Sequence, residues 1–325
     1  DKSISDFRRM ANGNLLFMDT TGASEINMLG NVVQSWHPRR RDETAGGFSA
    51  PVNTDLFHHE IYETLSGNFL VLTTELRHLP SYPASETDFG APLADADVIG
   101  DAVVEFNRYG TILGWWSLLD LLDPYRIGFD SLSGFWNGEY AEASGGTKDW
   151  SHANAVIEDP ADDSVIVSIR HQDALAKIDR KTGKLIWILG NPDGWNLPWN
   201  RYLLSPEGDF QWPYHQHAPR FTPNGTILLF DNGNHRRRPF DQRPDDNYSR
   251  AVEYAVDAKR MTVSQVWSFG GPNDEDFFSD ALGDASWLPI TGNVLITDGA
   301  RVSSGVPANR WARIVEVTHT KPAEK

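Results

Sequence analysis

His217-Ala-Pro-Arg-Phe-Thr-Pro-Asn-Gly225-Thr-Ile-Leu-Leu-Phe230 reads as a β-hairpin. An alternating strand runs into a Pro-Asn-Gly turn, and an apolar strand leaves it. Aligned on the turn glycine, the pattern recurs from His59 to Gly67 and on through Asn-Phe-Leu-Val-Leu72. It recurs again from Asp284 to Gly292 and on through Asn-Val-Leu-Ile-Thr297. Ser5 to Gly13 opens a shorter copy, and His152-Ala-Asn-Ala-Val-Ile-Glu-Asp-Pro-Ala-Asp-Asp-Ser-Val-Ile-Val-Ser168 is a copy with a longer turn. Each is followed by a second hairpin of another flavour, such as Ala176-Lys-Ile-Asp-Arg-Lys-Thr-Gly183-Lys-Leu-Ile-Trp-Ile-Leu-Gly190. Four antiparallel strands per repeat make a propeller blade. The sequence therefore predicts an all-β fold, a β-propeller of four-stranded antiparallel blades, with five blades evident from residues 5, 59, 152, 217 and 284. A β-sandwich would explain the turns but not the repeated order of strand types. Insertions between strands are expected at 78–100, 118–148 and 193–213, with a short helix in Trp115-Trp-Ser-Leu-Leu-Asp-Leu-Leu122.

The 325 residues carry 29 Lys+Arg against 45 Asp+Glu, a net charge of −16. That charge repels phosphate backbones and anionic lipid, and the basic residues are scattered, so neither nucleic acid nor a membrane is an expected partner. The longest apolar run, Ile112 to Leu122, is too short to span a bilayer. Cysteine is absent, which removes thiol catalysis, Cys-ligated zinc and disulfides and fits a periplasmic or secreted protein. No cofactor is expected.

The first strand of each blade lines a propeller's channel, so one repeated position forms a ring. That position reads Ser5, His59, His152, His217 and Asp284. A single strand histidine is more often structural; three at one repeat position point to a site. Arg170 lies as far beyond the Pro160-Ala-Asp-Asp163 turn as His152 lies before it, so the hairpin sets them side by side. Asn154, two residues from His152, shares its face. The candidate site is His59, His152, Asn154, Arg170 and His217. A guanidinium fork suits a tetrahedral oxyanion, and imidazole can attack, move protons or bind a metal. Arg170 could instead pair with Asp173 or Asp179. His58, His215 and His235 fall off the repeat position and read as supporting or loop residues, and Arg236-Arg237-Arg238 with Asp241, Asp245 and Asp246 reads as a solvated ion-pair loop. Two other chemistries stay open. One is a metal-dependent hydrolase or lyase with His59, His152, His217 and Asp284 as ligands, which the neighbouring Arg170 disfavours. The other is a non-catalytic binding propeller.

Asp149-Trp-Ser-His-Ala-Asn-Ala-Val156, the stretch from Asp163 to Gly190, Gln216-His-Ala-Pro-Arg-Phe-Thr-Pro-Asn-Gly225 through Gly233, and Phe57-His-His-Glu-Ile61 together resemble the bacterial arylsulfate sulfotransferases. The resemblance spans about residues 55–235. It implies a six-bladed, often periplasmic propeller that moves a sulfuryl group from a phenolic sulfate ester to a phenolic acceptor without 3′-phosphoadenosine 5′-phosphosulfate. By motif it also implies that His217 is transiently sulfated, with His59 (or His58), His152, Asn154 and Arg170 around it. The matching mechanism is ping-pong. Neutral His217 attacks sulfur, Arg170, His152 and Asn154 hold the equatorial oxygens, and protonated His59 or His152 serves the leaving phenolate. Trp115, Trp116, Trp136, Trp195, Trp199 and Trp212 are expected to stack on the aryl ring and exclude water. The chain is expected to be one propeller domain over 1–325, with either part of one blade or the family's N-terminal β-rich domain outside it, and self-association is compatible with this.

Overall fold

Gly13, Gly67, Gly225 and Gly292 sit at φ between +72° and +86°, the left-handed region in which a side chain is strained. Each closes the first hairpin of a sheet. In the computed structural model, which describes residues 4–40, 49–241, 246–272, 277–302 and 310–323, the strands form five sheets. The first holds β1 (Ile4–Arg9), β2 (Leu15–Asp19), β3 (Gly22–Ile26) and β4 (Val32–Pro38), edged by β5 (Ser49–Val52). The second holds β6 (His58–Glu63), β7 (Phe69–Tyr82), β8 (Ala94–Phe106) and β9 (Ile112–Ser117), with β10 (Thr147–Asp149) also on β8. The third is β11 (Ala153–Asp159), β12 (Ser164–Ile169), β13 (Ala174–Asp179) and β14 (Leu185–Gly190). After β15 (Ser205–Glu207), the fourth runs through β16 (His217–Phe221), β17 (Ile227–Asp231), β18 (Arg250–Asp257) and β19 (Thr262–Gly270), and β15 pairs with β19. The fifth shows β20 (Asp284–Trp287), β21 (Val294–Val302) and β22 (Arg310–Val317) among the described residues.

The fold is a β-propeller of antiparallel blades. First strands pack in succession, β1 on β6, β6 on β11, β11 on β16 and β16 on β20. Blade 3 shows what holds neighbours together. Its side chains alternate between faces: Val156, Val165, Val167 and Ala176 enter the core shared with blade 2, and Ile157, Ile166 and Leu175 enter the core shared with blade 4. All are buried, and cutting a residue such as Ile166 to Ala costs about 2–5 kcal/mol. β5, β10 and β15 each add a short parallel pairing to a blade, covering edges that would otherwise recruit strands.

One expectation needs correction. Within 78–100 the loop between strands is only 83–93. β7 and β8 stay paired on either side of it, from Phe69 opposite Phe106 out to Tyr82 opposite Ala94. Leu79, Tyr82 and Val98 bury one face of this extension in the core shared with blade 3, and Ile99 on the other face packs with Leu56, Trp136 and Tyr140. The short helix α1 spans Leu118–Leu121 as expected.

Candidate active site

The rim of blades 2, 3 and 4 is built from irregular backbone. Pairing slips between His58 and Ile61, between Ala153 and Ala155, and between His217 and Arg220. His59, His152 and Ala218 have φ of +59°, +44° and +51°. Bulges and left-handed residues re-aim side chains that a regular strand would send alternately inward and outward. Arg170 N–H donates to His152 O over 3.3 Å, so the two residues are rim neighbours as the hairpin arithmetic predicts.

Four imidazoles follow one another around this rim. The rings of His58 and His59 lie 5.1 Å apart, those of His59 and His152 4.9 Å, and those of His152 and His171 4.6 Å in a near-parallel stack. His58 Nδ1 and His59 Nδ1 share a proton over 2.8 Å, and His58 Nε2 is 3.3 Å from Asp101 Oδ1. That contact is too poorly aligned to count as a full hydrogen bond, and neither atom has another partner. His152 Nδ1 lies 2.5 Å from Asp149 Oδ2, whose other oxygen accepts from Trp136 Nε1 at 3.0 Å.

His217 is held differently. Its Nδ1 lies 2.7 Å from Asn232 Oδ1 and 3.1 Å from His215 O. The amide nitrogen of Asn232 donates to Ser279 O and Leu282 O at 2.9 and 2.8 Å, which fixes the oxygen toward the imidazole. With two oxygens facing it, Nδ1 carries the hydrogen and Nε2 keeps the lone pair. Burial, the Arg170 charge and His152 push the His217 pKa down to about 3. His59 and His171 are likewise held well below the ordinary histidine value, first by burial, then by neighbouring imidazoles and Arg170. Burial raises Asp149. His215 goes the other way: burial and Arg170 would lower it, but Asp173 and Asp130 hold it raised.

Arg170 donates to Asp130 Oδ2 at 3.2 Å and to Asp280 O at 3.3 Å, and not to the side chains of Asp173 or Asp179. Asp173 instead accepts from His215 N–H and faces its Nδ1, at 2.8 and 3.0 Å. Asn154 donates one N–H to Gln216 O at 2.7 Å, while its Oδ1 is buried and unpartnered. The five candidate residues thus gather at one rim, with Asn154 tied to the backbone beside His217. The other members of the repeat position stay apart. Ser5 Oγ donates to Met18 O, and Asp284 Oδ2 lies 2.6 Å from Arg220 Nη2.

The arylsulfotransferase (ASST) family profile matches residues 1–324. The chain belongs to that family. Two curated relatives align over 222 residues: the arylsulfate sulfotransferase AssT of Escherichia coli O6:H1 at 32% identity and that of Lelliottia amnigena at 31%. Each alignment takes in 56% of this chain and 36% of the relative, so the chain spans about a third of the length of the relatives it matches. Among solved structures, the β-propeller domain of Myceliophteria thermophila Cps50 (Swd1) is 11% identical with a TM-score of 0.41, over 97% of this chain and 75% of that one.

For a family member, the cover over the site differs from expectation. Of the six tryptophans, Trp136 reaches the imidazoles, 5.2 Å from His58 and 6.3 Å from His152, and Phe135 stands edge-on to His152 at 4.8 Å. Trp116 and Trp195 are core residues, Trp212 packs on Phe210, Trp199 donates to Leu121 O and Trp115 to Glu75. Tryptophans that anchor insertions to the blades cannot also line the mouth. Arg236 is buried against Tyr248 and paired with Asp231, not solvated; Asp245 lies outside the described residues. A metal set of His59, His152, His217 and Asp284 fails because Asp284 is engaged by Arg220. Among the described residues, the group with ligand spacing is Asp149, His152 and His171, in which both Nδ1 atoms already face Asp149 oxygens. A cleft of about 740 Å³ touches the site through Asp173 and Gly128 but none of the histidines line it, so polar geometry and not cleft size locates the chemistry. Sequence reasoning missed Asn232, Asp149, His171 and Asp130. Asn232 was within reach, since His217 pairs opposite Phe230 and the residues just past Phe230 must come up beside it.

Proposed function

We propose that this propeller transfers a sulfuryl group from an aryl sulfate to a phenolic acceptor by a ping-pong reaction through His217. The observation that carries the reading is the Asn232–His217 contact, which supports a neutral imidazole with its Nε2 lone pair free to attack. Nε2 forms a bond to sulfur as the sulfur–phenoxide bond breaks in line with it. Arg170 and the second N–H of Asn154 hold the equatorial oxygens. His152, oriented by Asp149, gives the departing phenoxide its proton and recovers one from the acceptor, whose oxygen then takes the sulfuryl group from His217. His59 serves as a neutral partner in this scheme, because burial and neighbouring cations disfavour its protonation. Trp136 and Phe135, packed on His152, shield the proton donor's side of the site from water. A periplasmic or secreted setting belongs to the same reading, and a chain without cysteine is compatible with it. The test is release of 4-nitrophenol from 4-nitrophenyl sulfate with and without a second phenol, in the parent and in His217→Ala. Sustained release that needs the acceptor and vanishes in the variant supports the proposal; undiminished release by the variant contradicts the assigned nucleophile.

A further inference from the structure

Asp130 has no part in the scheme above, yet its carboxylate is in contact with the group that holds the anion. It comes from the 118–148 insertion, and its Oδ2 is 3.2 Å from Arg170 Nη1 and 3.5 Å from His215 Nε2. His215 is fully buried and is gripped from its other side by Asp173, while the Asp130 side chain is 44% exposed. Asp173, His215, Asp130 and Arg170 therefore form a chain of contacts that ends at the anion slot. Of the imidazoles around that slot, His59, His171 and His217 are held neutral by their surroundings, and His152 carries only the proton that it hands to the leaving group. One guanidinium is the site's permanent cation, and a carboxylate already offsets part of it.

We propose that Asp130 is a specificity-determining residue that admits singly charged sulfate esters and rejects doubly charged phosphate esters of the same shape. An aryl sulfate carries one negative charge at every ordinary pH. An aryl phosphate has a second ionisation near about 6 and is a dianion above it. The two anions match in size and in their tetrahedral oxygens, so hydrogen-bond geometry alone separates them poorly, whereas a fixed carboxylate a few ångströms away repels the second charge directly. The close contact with His215, with help from Arg170 and His171, keeps Asp130 ionised far below the usual carboxylate range, so the repulsion persists across working pH.

The inference rests on the sulfuryl-transfer reading for its choice of substrate, but its test does not need turnover. 4-Nitrophenyl phosphate and the singly charged 4-nitrophenyl methylphosphonate are titrated calorimetrically into the full chain above about pH 7.5, where the phosphate is a dianion. The parent is expected to bind the monoanion at least tenfold more tightly. Asp130→Asn is expected to shift the ratio at least tenfold toward the dianion, and Asp130→Gly to do the same. Both residues suit the backbone there, since φ at Asp130 is +65°. A ratio that moves less than twofold in both variants, or a parent that binds neither ligand, overturns the proposal. Failure of the parent to release phenol from an aryl sulfate strikes the reading of the reaction and leaves the charge ratio standing.

Discussion

At the rim of blade 4, His217 begins a strand whose pairing slips at once, and Ala218 beside it takes φ of +51°. At the rim of blade 5, Asp284 stands as far before its turn glycine as His217 does, but β20 keeps register from Asp284 opposite Thr297 to Trp287 opposite Val294. The consequences diverge. His217 is turned onto Asn232 and joins the cluster around Arg170, whereas Asp284 is spent on Arg220. A repeat position brings a residue to the rim, but a bulge decides whether its side chain meets the others.

The sharpest way to break this comparison is to exchange the consequences. His217→Ala is expected to lower phenol release by about 10⁴-fold or more, as loss of a nucleophile does in other covalent mechanisms. Initial rates with 4-nitrophenyl sulfate check it, and retention of more than a hundredth of the activity would place the nucleophile elsewhere. Asn232→Ala frees the His217 tautomer and is expected to slow the first half-reaction about 10²-fold with little change in donor KM. A rapid-mixing burst unchanged in rate would show that Asn232 is ornamental to the chemistry.

The buried imidazoles also separate the two rims by pH. The folded pKa of His217 is near 3, below its ordinary value of 6.5, so between those limits the unfolded chain binds a proton that the folded chain refuses. Stability from this group is complete above about pH 6.5 and is lost as the pH falls toward 3. His59 and His171 act with the same sign. His215, held raised, contributes the opposite way: its stabilisation is present below about pH 6.5 and fades as the pH climbs through its folded value. Three against one predicts a Tm that drops on acidification below about pH 6.5 and drops less in His217→Gln. An equal drop in both proteins would remove His217 from the balance. The smallest effect belongs to blade 5. Asp284→Asn weakens a partly exposed ion pair with Arg220, so a loss of under about 1 kcal/mol in stability is expected, with transfer within about twofold of the parent. A tenfold loss of transfer would mean that the regular rim serves the site after all.

Much of this was legible in the residues. The five first strands begin at Ile4, His58, Ala153, His217 and Asp284, within a residue of positions read from turn glycines, because a left-handed turn constrains residue type strongly enough to be seen in one sequence. Hairpin arithmetic set Arg170 beside His152 for the same reason. The same arithmetic applied to the next blade finds Asn232. Asp149 is three residues before His152, and the two meet where the backbone at His152 is left-handed, which spacing alone does not announce. Asp130 and Trp136 come from an insertion with no period, so nothing in their spacing says which loop folds over which blade. The tryptophans misled because bulk and polarity do not distinguish a residue that anchors an insertion from one that lines a mouth.

The most direct measurement is to mix the protein with 4-nitrophenyl sulfate in the absence of an acceptor, quench at neutral to mildly alkaline pH, digest and sequence the peptides by mass spectrometry. The account predicts the mass of one sulfuryl group on His217, removed when a phenol is added before the quench. A label on His59 or His152, or phenol release at the burst rate with every histidine unmodified, would contradict it.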